Sequence, residues 1–282
     1  MCYYNTKGIP KNYSKGCEVT MSKQEKFLEL IKATKSTNTW KTYVSAMNII
    51  GTHEDSYWNL SNLTLLINSW DCSDTTIKLR LSVIHNYLQY SSLLTPQLHK
   101  VLSGYKANRK IPQVLTKEQY ESILESVNTK WKPAILLASQ AGLRLQEVIG
   151  IEIENINWNQ KSILINNRKN KNSLVIGMTN EIENAISNWL LERKLKSKFL
   201  FCGTTANALQ KYITGIGDYC GVPWLHFHLF RHYFATTMLK NGLDLETLRQ
   251  QLDHSSLAVT SRYLHIQPED RMNRILEIYN QQ

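Results

Sequence analysis

The segment from residue 226 to residue 265 constrains the fold of this chain most, because helix signals and helix breaks alternate along it. Phe230, Phe234 and Met238 recur every four residues and predict a helix with one buried face. Gly242 follows and is expected to end that helix, since glycine readily adopts the left-handed conformation.

A second helix is expected directly afterwards, with Asp244 as its N-cap. Leu245, Leu248 and Leu252 share one face of this helix and are expected to be buried. His254 follows its last turn.

A third helix is expected to begin at the serines that follow His254. Tyr263 lies nine residues after His254, so on one unbroken helix the two side chains would face opposite directions at ~100° per residue. The break at Ser255 and Ser256 allows them to converge. Tyr263 is also expected to point away from the apolar face that contains Leu257.

Four side chains of this segment suit chemistry on a phosphate group. His228 and Arg231 are three residues apart and share a helix face, and His254 and Tyr263 follow them. Each residue type alone is common in cores and on surfaces. The combination therefore carries more weight than any one member.

Three motifs in this order resemble the tyrosine recombinase (phage integrase) family. Ala141 to Glu147 read A-G-L-R-x-x-E, and His228 to Thr236 read H-x-x-R-H-x-F-A-T. Leu252 to Ser256 read L-x-H-S-S, and Tyr263 follows at the family's spacing. The resemblance covers roughly residues 116–265, and it is specific because both order and spacing match.

The pattern predicts a mainly α-helical chain with a small antiparallel β-sheet. The resemblance implies a helical N-terminal core-binding domain and an α+β tyrosine-recombinase catalytic domain. The expected organisation is a basic N-terminal tail (1–21), a helical DNA-binding, core-binding domain (22–103), a linker (104–113) and a catalytic domain with a C-terminal helix (114–282).

Local signals place several elements within these domains. Ser22 and Glu25 form a capping box ahead of a first helix, and Ser73 or Asp74 can cap a later one. Strands are expected at 163–165 and 174–176 around a polar turn. A helix is expected from Trp131 to Gly142, which is apolar on most sides and is therefore expected to be buried. Further helices are expected at about 179–195, 204–220 and 269–281.

Composition and net charge indicate which kind of partner the protein binds and in which cellular compartment it is expected. The net charge is +10 and the isoelectric point is near 9.3, which favours a polyanion, most simply nucleic acid. Charge alone also fits a merely basic protein. The five cysteines are scattered without a C-x-x-C pair, so neither a disulfide framework nor a zinc site is indicated. Without an apolar run of membrane-spanning length, a cytoplasmic, DNA-associated protein is expected.

Arginines suit a phosphodiester, because a guanidinium is always charged and matches phosphate geometry. Arg144 and Arg231 are therefore the expected phosphate ligands. Glu147 either orients Arg144 or is an ordinary helix carboxylate. By resemblance, Tyr263 is the nucleophile, and His228 and His254 bind the scissile phosphate or assist proton transfer.

The family also uses a lysine, in the β-turn between two strands, to protonate the leaving 5′ oxygen. Counting back from Val175 selects Lys169, with Lys171 as the alternative. Gly177 stands where the family commonly has proline, and Asp253 stands where it commonly has glycine. Neither cofactor nor metal is expected.

Additional basic residues are expected to contact DNA. Lys78 and Arg80 lie off the apolar face of a helix in the core-binding domain, and Lys106, Arg109 and Lys110 lie in the linker. These five residues are expected to bind phosphates of the backbone.

The resemblance implies site-specific strand exchange on double-stranded DNA through a 3′-phosphotyrosyl intermediate and a Holliday junction. Four protomers would assemble on DNA through their C-terminal helices. Two alternatives are a DNA-binding protein that has lost catalysis and a type IB topoisomerase. Occupied catalytic positions argue against the first, and the small helical N-terminal domain argues against the second.

Overall fold

The computed structural model describes residues 21–107, 113–166, 173–254 and 260. The chain divides into two units, residues 1–111 and 112–282. The roles expected for the two predicted domains, DNA binding and catalysis, stay predictions.

Residues 21–107 of the first unit form an all-helical arrangement. A short 3-10 turn at Asp55–Tyr57 lies between its second and third helices. The helices are α1 (Lys23–Thr34), α2 (Thr37–Ile50), α3 (Leu60–Asn68), α4 (Asp74–Tyr90) and α5 (Pro96–Gly104).

Side-chain caps define where these helices begin. The Ser22 hydroxyl accepts from the Glu25 backbone N–H at 3.2 Å, and Glu25 Oε2 accepts from the Ser22 N–H at 2.8 Å. The predicted capping box is therefore confirmed. Of the two caps expected for α4, Ser73 is the residue used, and its hydroxyl accepts from Thr76 N at 3.4 Å.

The core of this unit is apolar and closely packed. The helices α1, α2 and α4 bury Phe27, Met47 and Leu88 against one another. Helix α5 adds Leu98 and Leu102 to the same core.

The second unit combines helices with a small sheet. Its helices are α6 (Lys117–Ser126), α7 (Lys132–Ala141), α8 (Leu145–Ile149), α9 (Asn180–Glu192), α10 (Ala206–Tyr219), α11 (His228–Lys240) and α12 (Leu245–Leu252). Its strands are β1 (Ile156–Asn157), β2 (Ser162–Ile165) and β3 (Leu174–Gly177), in the order β1-β2-β3.

The sheet is antiparallel, and Ile163 pairs with Ile176 and Ile165 with Leu174. Alternate side chains of β2 are buried, as a half-buried strand requires. The two strands expected from the sequence are confirmed with slightly wider bounds. Strand β1 was not expected, because two residues carry no alternating pattern.

Helix α7 is the central element of the second unit. Almost all of its side chains are buried, as its apolar composition predicted, and it packs against α9 and α11. It ends at Gly142, whose φ of 71° is left-handed. A Cβ there would lie 2.7 Å from Phe234 and 2.8 Å from Leu252, so glycine lets the three helices α7, α11 and α12 meet.

The helices expected near 179–195 and 204–220 are confirmed as α9 and α10, each slightly shorter. The tail 1–20 and the expected C-terminal helix lie outside the described residues. Within the described part of the chain, no helix combines the length and the apolar character that crossing a bilayer requires.

Candidate active site

Arg231 is a deeply buried charge, with 1% of its surface exposed. Helix α11 carries it inward beside Phe230 and Phe234. Its Nη1 donates to Gly142 O at 2.7 Å, and its Nη2 donates to Leu252 O. The guanidinium is thus held by backbone carbonyls at the ends of α7 and α12.

Arg144 approaches the same place from α8, which it precedes as N-cap. Its Nη2 donates to Leu252 O at 3.0 Å and to Asp253 O at 3.1 Å. Both arginines therefore donate to the carbonyl of Leu252. The C-terminal carbonyls of a helix carry partial negative charge, which stabilises cations placed there.

Glu147 fixes the orientation of Arg144. Its Oε1 accepts from Arg144 Nη1 at 2.9 Å and its Oε2 from the Arg144 backbone N–H at 2.8 Å. The Glu147 side chain is only 2% exposed. Of the two interpretations of Glu147, the orienting role is the one the geometry supports, and a surface carboxylate is wrong.

The turn after α12 brings Asp253 and His254 to the same place. Asp253 has φ 50° and ψ 49°, a left-handed conformation that aspartate tolerates better than most residues. Asp253 N donates to Gln250 O at 3.0 Å and His254 N to Arg249 O at 3.1 Å. These two bonds form a Schellman motif, which closes the helix although glycine is absent.

His254 lies between Arg231 and Thr260. Its Nε2 is 3.1 Å from Arg231 Nη2, and its Nδ1 is 2.9 Å from Thr260 Oγ1. Because a guanidinium only donates, Nε2 is the acceptor and the ring proton of neutral His254 lies on Nδ1. Thr260 Oγ1 then accepts that proton, and Thr260 is fully buried.

Arg249 holds the backbone of His254. Its Nη1 donates to His254 O at 2.9 Å, and its Nε donates to Glu246 Oε2 at 2.8 Å. Hydrogen bonds from Arg249, and then from Gln250, lower the pKa of Glu246 to about 2. Sequence reasoning missed this group, although the acid-base spacing of three residues on one helix was a usable signal.

His228 is the first residue of α11 and is exposed. Its ring packs edge-on against His232, with ring centroids 4.5 Å apart. His232 is buried. His228 and Arg231 lie one turn apart, as their spacing predicts, but only Arg231 is enclosed.

The predicted DNA-binding residues differ in placement. Lys78 and Lys106 are exposed, and Arg80 is half-buried with its guanidinium 5.0 Å from the centre of the Trp70 ring. Four predicted site residues lie outside the described residues: Arg109, Lys110, Lys169 and Tyr263. The catalytic and DNA-binding roles of all these residues stay predictions.

Among the described residues, no group of three or more histidine, cysteine, aspartate or glutamate side chains could hold a metal ion. The charged groups that meet at the end of α12 are instead two guanidinium groups with their carboxylate and carbonyl partners. The arrangement supplies guanidinium hydrogen-bond donors for an anion.

Residues 113–270 match the model of the phage integrase family. The chain belongs to the phage integrase family. As a tyrosine recombinase, it is an enzyme of site-specific recombination that breaks and rejoins DNA.

Its relatives include two tyrosine recombinases. XerC of Haemophilus influenzae is 28% identical over 227 residues, which cover 74% of this chain and 75% of that protein. XerA of Saccharolobus solfataricus is 26% identical over 204 residues, covering 72% and 67%.

The fold is also that of a solved integrase. The Tn1549 transposon integrase, in complex with a circular intermediate DNA, has a TM-score of 0.75 and 18% identity. The match covers 92% of this chain and 99% of that one.

Proposed function

We propose that this recombinase exchanges strands at specific double-stranded DNA sites, with Arg144 and Arg231 binding the nonbridging oxygens of the scissile phosphate. The observation that carries the proposal is their shared acceptor, Leu252 O. Two guanidinium groups within hydrogen-bonding distance of one oxygen are close enough to serve one phosphate. A phosphodiester gains negative charge in its transition state, so fixed donors lower the barrier.

The rigid support of these arginines favours catalysis over simple DNA binding. Glu147 and three backbone carbonyls orient the guanidinium groups before DNA arrives. Preorganised donors need little rearrangement when charge develops on the phosphate.

Tyr263 is the proposed nucleophile. Its phenolic oxygen would bond to phosphorus as the bond to the 5′ oxygen breaks, giving a 3′-phosphotyrosyl ester and a free 5′ hydroxyl. Lys169 would protonate the leaving oxygen, with Lys171 as the alternative donor. The 5′ hydroxyl of the partner strand then reverses the reaction, so that neither cofactor nor metal is consumed.

The phenol must lose its proton for this attack. A phenol has a pKa of about 10, so ionising it at pH 7 costs about 4 kcal/mol. The guanidinium groups of Arg144 and Arg231 would stabilise the phenolate and reduce that cost. His228 would complete the contacts to the phosphate, whereas His254, whose Nε2 accepts from Arg231, would assist proton transfer.

The first unit carries a small cleft between α2 and α4, and basic residues at this cleft would contact the backbone of the duplex. Lys41 and Arg80 line it, and Lys78 lies two residues before Arg80 on α4. The Trp70 ring beneath the Arg80 guanidinium limits its motion. Phosphate contacts from this face and from Lys106, Arg109 and Lys110 would set affinity and register.

Assembly on DNA is proposed to use the C-terminal helix after Pro268. Met272, Ile275, Leu276 and Tyr279 recur in the sequence at helical spacing and would share one narrow apolar face. Docking of this stripe on a neighbouring protomer would build a tetramer on two DNA sites. Truncation after Gln267 should then leave single half-site binding intact and abolish strand exchange.

The nucleophile is tested with a nicked substrate that traps the covalent adduct. Tyr263→Phe should bind its DNA and form no adduct that survives denaturant. The matched control is Tyr219→Phe, because Tyr219 is 81% exposed on α10 and should keep full activity. Adduct formation by Tyr263→Phe would overturn the assignment, and relaxation of supercoiled DNA without exchange would favour a topoisomerase.

A further inference from the structure

Asp253 places a second carboxylate beside Arg144. Its Oδ2 lies 3.8 Å from Arg144 Nη1, and its side chain is only 16% exposed. Its backbone carbonyl also accepts from Arg144 Nη2 at 3.1 Å. Arg144 therefore faces the carboxylates of both Glu147 and Asp253.

The carboxylates of Glu147 and Asp253 contact Arg144 in different ways. Glu147 accepts from the backbone and from the guanidinium of Arg144 at 2.8 and 2.9 Å, so it sets the orientation of that side chain. The longer contact to Asp253 adds negative charge to a guanidinium that Glu147 and two carbonyls already hold.

The backbone does not require the Asp253 carboxylate either. The turn needs a residue that accepts φ 50°, and glycine or asparagine satisfies that requirement as well as aspartate. The hydrogen bonds that close the turn come from the backbone N–H groups of residues 253 and 254. The charge of Asp253 can therefore be removed without removing the turn.

We propose that the Asp253 carboxylate competes with the scissile phosphate for Arg144 and thereby slows DNA cleavage. The inference rests on the proposed role of Arg144 as a phosphate ligand. Around the two arginines, Glu147 and Asp253 bring the formal charge to zero, so an entering phosphate meets less attraction than two guanidinium groups alone would exert. Only a phosphate that is well placed by the rest of the DNA displaces the carboxylate.

The test compares the wild-type protein with Asp253→Asn. This substitution keeps the shape of the side chain and its tolerance for the left-handed conformation but removes the negative charge. On the nicked trapping substrate, the variant should form its covalent adduct roughly tenfold faster, as expected for one partly screened charge near the phosphate. On a methylphosphonate linkage, where a methyl group replaces one charged oxygen, the two proteins should react at similar rates. A purely structural role of Asp253 would change both substrates alike.

Two controls make the outcome decisive. Asp218→Asn removes the same formal charge from the exposed surface of α10 and should leave the rate unchanged. Asp253→Gly should reproduce the gain seen with Asp253→Asn, because the turn remains closed. Unchanged or slower cleavage of the phosphate by Asp253→Asn would overturn the proposal, since the carboxylate would then support Arg144.

A second measurement separates this inference from the proposed function. Inorganic phosphate titrated into the free proteins should bind roughly tenfold more tightly to Asp253→Asn than to the wild type. Equal affinities would refute the competition even if cleavage is active. Tighter phosphate binding without any adduct in the wild type would instead support the competition and refute the proposed cleavage.

Discussion

The end of α12 and the cleft between α2 and α4 both present arginines, but they hold them differently. Arg231 is enclosed and donates to two backbone carbonyls, whereas Arg80 is half-buried and rests on the Trp70 ring. Enclosure costs free energy unless every donor is satisfied. The rigidly held arginine at the end of α12 therefore suits a phosphate whose charge changes during the reaction. The arginine in the cleft between α2 and α4 suits a phosphate that is bound without reacting.

The two regions should differ most in how the loss of one basic residue affects the rate of adduct formation and the affinity for DNA. Arg231→Ala should slow adduct formation on saturating DNA by about 10²–10³-fold, the usual effect of losing one fixed donor to an oxyanion. Lys78→Ala should mainly weaken binding and reduce the log–log salt slope by about 0.9. Adduct kinetics and salt titrations of both variants check this. A loss of rate in Lys78→Ala as large as that in Arg231→Ala would erase the distinction.

Arg231→Ala also leaves the carbonyls of Gly142 and Leu252 without this donor. Leu252 O keeps its hydrogen bond from Arg144, so the free energy of unfolding should fall by about 1–3 kcal/mol for the Gly142 carbonyl alone. Arg231→Lys, which keeps the charge but not the fork, shows whether charge alone sustains the rate. Circular dichroism at the assay temperature confirms that each variant is folded.

The second prediction concerns the close approach of helices that supports the arginines. Gly142→Ala should destabilise the protein by about 2–4 kcal/mol, combining left-handed strain with overpacking against Phe234 and Leu252. Gly203→Ala has similar strain at φ 66° but open space, so about 1 kcal/mol is expected. Urea unfolding of both measures the difference. Equal losses would show that packing at Gly142 is loose.

Whether a feature of the fold or of the site could be predicted from the sequence depends on how local that feature is. The buried positions Phe230 and Phe234, the buried helix α7 and the tolerance of Asp253 for a left-handed turn follow from spacing and residue type. The shared acceptor Leu252 O and the bond from His254 to Thr260 do not, because they depend on how α7, α11 and α12 pack. Short elements such as α8 and β1 carry too few residues for a periodic signal.

Helix α5 is a different case, because its signals were present in the sequence. Thr95 accepts from Leu98 N at 3.3 Å and Pro96 occupies the first turn, a recognisable helix start. The helical pattern expected for residues 22–103 includes α5 without separating it from its neighbours. Glu147 could be narrowed to two roles from its spacing, and only the three-dimensional contact with Arg144 decided between them.

The smallest effect is expected from pH. The pKa of Glu246 falls from 4.5 in the unfolded chain to about 2 in the folded protein, because Arg249 donates to its carboxylate. A depressed folded pKa adds stability above pH 4.5, and that stability is lost as the pH falls toward 2. Thermal unfolding of Glu246→Gln should therefore depend less on pH across this window than that of the wild type. If the stability of the two proteins changed with pH in the same way, the Glu246–Arg249 pair would contribute nothing to the pH dependence.

Arg144 and Arg231 are proposed to act on the negative charge of the scissile phosphate. The most direct measurement is the adduct rate of the wild type, Arg144→Ala and Arg231→Ala on a phosphate and on a methylphosphonate linkage. Both variants should lose about 10²–10³-fold on the phosphate and far less on the neutral linkage, because the charge they stabilise is partly absent there. Equal losses of rate on the two linkages would contradict this role of Arg144 and Arg231.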